Sequence, residues 1–230
     1  MKIYAIRLQL LCEEEELEQI QHLKRFVSEQ KRKAAERFRF PIDARRTLIG
    51  EVLIRQIVQE TYQIPSDQIV FETEENGKPI IAGLKNFHFN LSHSGHFVVC
   101  AVSDKPVGID IEQVKPIDLD IAKRFFSPQE YADLLTKSTK DQIPYFFHLW
   151  SMKESFIKLT GKGLSYGLSS FSAHLTADGQ ASFNLPEGEP VCYVKAYDLD
   201  PAYKMAACSS ESALPDHIEL LTCHDILSAT

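Results

Sequence analysis

Val107-Gly108-Ile109-Asp110-Ile111-Glu112 sets two carboxylates two residues apart in a run of β-branched residues. A strand's period of two sends both acidic side chains to the same face. Adjacent carboxylates repel, so the arrangement is costly unless a cation lies between them. Oxygen-only ligands at that spacing suit a hard ion such as Mg²⁺ or Mn²⁺ rather than zinc, and an ion held by so few protein oxygens keeps positions for water and phosphate oxygens. The alternative is an edge strand showing two solvated acids, and the hexapeptide by itself leaves both open.

Around this strand the chain has ordinary globular proportions. Its 230 residues are 44% hydrophobic and 25% charged, enough for a sizeable core. A formal net charge of −7 argues against nucleic-acid binding through bulk charge and leaves room for a local basic pocket. The five cysteines form no CxxC pair and have no histidine at zinc spacing, so they read as reduced thiols of a cytoplasmic protein. No apolar run is long enough for a signal peptide or a membrane span.

Downstream, a helix is expected from about Pro144 to Thr160, ended by Gly161 and Gly163. Within it Glu154 and Lys158 are four apart and share a face. Such a pair is commonly a surface salt bridge. Here Phe147, Trp150, Phe156 and Ile157 cover much of the cylinder, so the narrow charged face must look onto something polar.

Upstream, Phe89-Asn90-Leu91-Ser92-His93-Ser94-Gly95 reads as a polar corner between two strands, with hydroxyls, an imidazole and backbone N–H groups able to face one anion. A strand is expected over residues 2–11 and a helical region from Glu13 to about Phe38, four glutamates first and Lys31-Arg32-Lys33 late, in the order the helix dipole favours. Asp43 caps a second helix running to about Tyr62, whose first turn carries Arg45 and Arg46. Cations there hint at a bound anion, although either arginine could pair with Asp43 or Glu51. Ile69-Val70-Phe71 is a short strand, followed by a hairpin-type turn at Asn76-Gly77. Phe97–Ser103 resembles Tyr203–Ser209 in pattern, each preceded at a distance by a long amphipathic helix, which suggests duplicated α+β halves over 1–105 and 106–230 with a cleft between them. The tail beyond Ser209 reads as a loosely held end.

Taken together, Asp110, Glu112, Glu154, a lysine one turn later, a Ser-His corner and upstream cations describe a metal site facing a phosphorylated ligand, which is most of what phosphoryl transfer requires. The ordered set Asn-Gly-Lys-Pro (76–79), Phe-Asn-Leu-Ser-His-Ser-Gly (89–95), Val-Gly-Ile-Asp-Ile-Glu (107–112), Arg-Phe-Phe-Ser-Pro-Gln-Glu-Tyr (124–131) and Trp-Ser-Met-Lys-Glu-Ser-Phe-Ile-Lys (150–158) resembles the 4′-phosphopantetheinyl transferases of the larger, surfactin-synthetase-activating (Sfp-like) type.

The resemblance implies an α+β fold of two halves related by a pseudo-twofold axis; two halves in one chain would satisfy the site without a partner, so a monomer is expected. It implies transfer of phosphopantetheine from coenzyme A to a serine of an acyl or peptidyl carrier protein, as in nonribosomal peptide synthesis, with release of adenosine 3′,5′-bisphosphate. Asp110, Glu112 and Glu154 would hold Mg²⁺, or Mn²⁺, on the coenzyme A diphosphate. Ser92, His93 and Lys158 would contact its phosphates, Lys31, Arg46 and Thr47 the 3′-phosphate, and the Gly77-Lys78-Pro79 turn the adenine. Similar enzymes often have a second lysine where this chain has Ala34, with Lys33 as the neighbouring cation. Glu154 is the candidate base, with Glu112 or water as alternatives, and Lys158 would offset charge on the leaving bisphosphate. The carrier would dock through a largely apolar surface near residues 158–171, with Leu164, Tyr166 and Leu168 as contacts. A metal-dependent pyrophosphatase and a non-catalytic coenzyme A or carrier-binding module are the readings from other classes.

Overall fold

The computed structural model describes residues 1–75, 77–163, 166–176 and 180–228. It opens with β1 (Lys2–Arg7), α1 (Glu13–Leu23), α2 (Glu29–Ala35) and α3 (Pro41–Tyr62). The single helical region expected from Glu13 to Phe38 is interrupted, because Val27 and Ser28 are extended and Ser28 caps α2 by accepting from the Lys31 N–H. The N–H and hydroxyl of Ser28 in turn donate to Glu51 on α3, which fixes the break. α3 starts ahead of the expected cap: Phe40 is the N-cap, Pro41 fills the first helical position, and Asp43 lies within the first turn.

β2 (Phe71–Thr73) and β3 (Pro79–Ile81) pair as a hairpin whose turn uses Gly77 at φ +88°; Asn76 lies outside the described residues. β4 (His88–Ser94) and β5 (Phe97–Ser103) follow, so the expected polar corner is in fact a strand, with the turn confined to Gly95 and His96. After β6 (Val107–Gln113) come α4 (Ala122–Phe125), α5 (Pro128–Thr136) and α6 (Thr139–Thr160). Ser127 caps α5 in a reciprocal box with Glu130, with Pro128 at the first helical position. The chain ends with β7 (Ser172–Leu175), β8 (Ala181–Asn184), β9 (Tyr193–Tyr197), β10 (Tyr203–Ser209), β11 (Glu219–Leu221) and α7 (Cys223–Ser228).

The two larger sheets have the orders β11-β1-β5-β4 and β6-β10-β9. β1-β5-β4 and β6-β10-β9 share one topology: an antiparallel first strand, last strand and penultimate strand, with a 22-residue helix and a small hairpin inserted between. β5 and β10, the stretches matched in sequence, hold the same place in each. The tail is not loosely held. β11 pairs in parallel with β1, and Ile226 of α7 is buried in the core beside α3.

Alternation along the strands builds one core between the two sheets and others on their outer faces. Ile3, Ala5, Phe97, Val99 and Ala101 of the first sheet face Val107, Ile109, Ile111, Met205 and Ala207 of the second. Tyr4, Ile6, Val98, Cys100 and Val102 point the other way, onto α1 and α3, and Ala206 and Cys208 point toward α6. The layers are therefore helix, sheet, sheet, helix, and the strands buried on both faces are the continuous apolar runs. Each fully buried Val, Leu or Ile contributes about 1.5–3 kcal/mol. Among the described residues no helix is long and apolar enough to cross a membrane.

Candidate active site

Since Ile109 and Ile111 face the other sheet, Gly108, Asp110 and Glu112 face α6. A Cβ on Gly108 would collide with the Ser155 carbonyl and meet the Leu159 nitrogen at 2.5 Å, so the missing side chain lets the helix backbone rest on β6. Four residues further along, the strand instead carries a long acidic side chain. The same helix face presents Glu154 and Lys158, one turn apart.

Asp110 is 3% exposed, which rules out the solvated-edge reading. Its Oδ1 accepts from Ser92 Oγ at 2.8 Å and from Lys158 Nζ at 2.6 Å, and Lys158 Nζ also donates to Ser92 Oγ at 2.9 Å. Glu112 Oε2 accepts from Ser94 Oγ at 3.0 Å. Asp110 Oδ2 and Glu154 Oε1 are buried without a hydrogen-bond partner. Burial raises all three carboxyls above their ordinary range. Glu154 is pushed to about 7, by burial first and then by the neighbouring Asp110 and Glu112 charges, against the pull of Lys158. Unpartnered oxygens in a mutually repelling set mark a place short of positive charge. Among the described residues no three ligand-type side chains form a ready-made metal cage, so Lys158 is the cation this arrangement shows.

Two cavities adjoin at Glu154 and Lys158. One of about 380 Å³ is lined by Ser92, His93, Asp110 and Glu112, with Phe125 and Trp150 as an apolar wall. The other, about 220 Å³, is lined by Gly77, Lys78, Pro79 and Asn90. The structure thus brings together ten of the expected residues, counting Arg46 at the edge. Arg46 pairs with Asp43 and donates to the Gly95 carbonyl at 2.9 Å; burial first, and then the Arg46 and Lys158 charges, hold His93 below its ordinary value. Lys78 lines its cavity while its ammonium donates to the carbonyls of Val107, Lys158 and Leu159 at 3.3, 3.1 and 3.2 Å, capping the negative end of α6.

Other expected residues lie elsewhere. Lys31 on α2 and Thr47 on α3 are half-buried and line neither cavity, and Lys33 pairs with Glu29 at 3.4 Å. Arg45 is not an anion ligand. It is fully buried, bonded to Glu16 at 2.6 Å and Gln19 at 2.7 Å, and ties α1 to α3. Leu168 is 3% exposed and packs against Phe156 and Phe171, so it is core rather than a docking contact; Tyr166 is half-buried beside it. Leu164 lies outside the described residues. Phe125 had no role of its own in the sequence reading, Trp150 only one in the apolar surface of its helix, and Asn90 and Ser94 only one as members of the polar corner; their spacing of two along one strand was the available signal.

An acidic set spanning β6 and α6 is faced by lysine and serine donors on a duplicated α+β scaffold. Residues 106–208 match the signature of the 4′-phosphopantetheinyl transferase superfamily, and residues 14–105 that of the 4′-phosphopantetheinyl transferase N-terminal region. The chain is 62% identical over 228 residues to the 4′-phosphopantetheinyl transferase psf-1 of Bacillus pumilus, covering 99% of this chain and 98% of that protein. It is 49% identical over 227 residues to the 4′-phosphopantetheinyl transferase Sfp of Bacillus subtilis (strain 168), covering 99% and 100%, and 39% identical over 188 residues to gsp of Aneurinibacillus migulanus, covering 82% and 78%. The chain belongs to the 4′-phosphopantetheinyl transferases, of the Sfp-like type.

Proposed function

We propose that this enzyme transfers 4′-phosphopantetheine from coenzyme A to a serine hydroxyl of an apo acyl or peptidyl carrier domain, as nonribosomal peptide synthetases require. The serine oxygen bonds to the phosphorus that carries pantetheine, the diphosphate P–O bond breaks, and adenosine 3′,5′-bisphosphate leaves. The observation that carries the reading is the convergence of Asp110, Glu112, Glu154 and Lys158 on one cavity wall. Support for a divalent ion comes from the all-oxygen donor set and from the unpartnered Asp110 Oδ2 and Glu154 Oε1, so Asp110, Glu112 and Glu154 would hold Mg²⁺ or Mn²⁺. Such an ion, when bound, neutralises diphosphate charge.

In this reading Glu154 takes the serine proton. Lys158, Ser92 and His93 bind phosphate oxygens, and Lys158 offsets charge on the departing bisphosphate. Gly77, Lys78 and Pro79 meet the adenine, and Arg46, Thr47 and Lys31 approach the 3′-phosphate. Phe125 and Trp150 exclude water from the reacting phosphorus. The carrier docks beside 158–171 through Leu164 and Tyr166. Halves 1–105 and 106–230 in one chain would complete the site without a second copy, which supports a monomer, and the enzyme acts in the cytoplasm.

The test is intact-protein mass spectrometry of an apo peptidyl carrier domain incubated with the enzyme, coenzyme A and Mg²⁺, with EDTA and Asp110→Ala controls. A gain of one phosphopantetheine, lost in both controls, is the expected outcome. Release of the bisphosphate without carrier modification would replace this reading with a pyrophosphatase.

A further inference from the structure

β4 and β6 are neighbours without being backbone-paired, since they end different sheets. In an antiparallel strand alternate N–H groups point to the side away from the partner. On β6, whose partner is β10, the amides of Ile109, Ile111 and Gln113 donate to side chains on β4 instead. Asn90 Oδ1 accepts from Ile109 N–H at 2.9 Å, Ser92 Oγ from Ile111 N–H at 3.4 Å, and Ser94 Oγ from Gln113 N–H at 3.0 Å. Three side chains spaced by two thus meet three amides spaced by two, closing the seam between the halves.

The two serines do something the asparagine does not. Each accepts from the amide following an acidic residue and donates its hydroxyl proton to that residue's carboxylate: Ser92 to Asp110 Oδ1 at 2.8 Å, Ser94 to Glu112 Oε2 at 3.0 Å. A hydroxyl offers one proton, and the amide bond fixes which way it turns. Ser92 also receives Lys158, at 2.9 Å, so its role is shared with the ligand-binding set. Ser94 has no such second partner among the described hydrogen bonds, and its hydroxyl serves Glu112 alone.

We propose that Ser94 is a positioning residue for the transfer reaction: locked to the Gln113 amide, it holds the Glu112 carboxylate in the orientation at which the acidic set binds its cation. Glu112 lies at the cleft end of β6, on a partly exposed side chain repelled by Asp110. Without Ser94 that repulsion and the free rotation of a glutamate would carry it into solvent. The proposal rests on the metal reading above.

The experiment compares Ser94→Ala, Ser94→Thr and Asp110→Ala with the unaltered enzyme. Mn²⁺ affinity is measured by electron paramagnetic resonance without coenzyme A or carrier, amide exchange at Gln113 by NMR, and kcat and KM for coenzyme A separately. Hydrogen-bonded partners of metal ligands typically alter affinity or activity by ~10–100-fold. Ser94→Ala is therefore expected to weaken Mn²⁺ by about 10-fold, to speed Gln113 exchange and to lower kcat more than it raises KM, with Thr restoring all three. Unchanged Mn²⁺ affinity in Ser94→Ala while Asp110→Ala loses it would overturn the positioning role and keep the metal site. Unchanged affinity in Asp110→Ala would overturn both. Failure of Thr to rescue a folded Ser94→Ala defect would also overturn the hydroxyl's part.

Discussion

Lys158 Nζ lies 2.6 Å from Asp110 Oδ1, joining residues 48 apart across the boundary of helix and strand. This ammonium is the counter-charge of a carboxylate that is almost wholly buried. Lys158→Met should therefore destabilise the metal-free protein by about 1–3 kcal/mol, the usual cost of leaving a buried acceptor without its partner. Mg²⁺ should recover that loss, so its stabilising effect should be larger in the variant than in the unaltered enzyme. Urea melts with and without Mg²⁺ measure this; equal Mg²⁺ shifts in both proteins would count against it.

Gly108 lets α6 lie on β6, and the distance from Glu154 to Asp110 depends on that contact. Gly108→Ala forces the Ser155–Leu159 turn outward, since its Cβ has only backbone to push against. The expected result is a destabilisation of more than about 2 kcal/mol together with lost transferase activity. Full activity with an unshifted melting curve would show that the helix is held elsewhere.

Among the described residues, Glu130 and Lys153 form the most deeply buried ion pair, 1% and 0% exposed at their side chains. Glu130 accepts from Lys153 at 2.6 and 2.8 Å and from the amides of Ser127 and Ala173 at 2.7 Å each, while Lys153 donates to the Phe171 carbonyl at 2.5 Å. The pair thereby ties α5, α6 and β7 together beside the segment proposed to dock the carrier. Glu130→Ala strands a buried ammonium and should cost roughly 3–5 kcal/mol. A double change of Glu130→Gln with Lys153→Met, which removes both charges and keeps an acceptor for the Ser127 and Ala173 amides, should cost less, and equal losses for both variants would show that the charge is not the cause.

His148 on α6 is held down to about 4, by burial first and then by Lys204, against Asp198. The folded protein thus favours the neutral ring, and the unfolded chain takes up the proton near 6.5. The resulting stabilisation is present above pH 6.5 and is lost as pH falls toward 4. Allowing for the solvent that reaches this half-buried ring, roughly 1–2 kcal/mol is at stake. His148→Gln should flatten the acid limb of the stability curve between those values, a change that denaturant midpoints at several pH values would detect.

Much of the site was legible because its periods are local. Asp110 and Glu112 share a face because a strand repeats every two residues, and Glu154 and Lys158 do because a helix nearly repeats every four. Ser127-Pro128, a natural cap before a residue suited to the first helical position, likewise carries the start of α5 in its own residue types, and Phe97–Ser103 and Tyr203–Ser209, alike in pattern, hold the same place in two sheets of one topology. Where neighbours along the chain determined the outcome, residue types and spacing sufficed.

What only the tertiary structure decided was which faces meet. Arg45 hinted at an anion with a nearby carboxylate partner as the alternative, and the fold gives it a carboxylate neither reading named, Glu16, together with Gln19; Leu168 looked like a docking contact until Phe156 and Phe171 covered it. The Asn90-Ser92-Ser94 stretch read as a corner because polar residues in a strand need acceptors and donors on another element, and β6 supplies them from 19 positions away. The tail read as loose because nothing near it in sequence tells that β1, at the other end of the chain, has an unpaired edge for Glu219–Leu221. Local periodicity fixes how a segment presents its side chains; the burial of apolar area and the pairing of buried polar groups are settled between segments far apart in sequence, and only the folded chain brings those together.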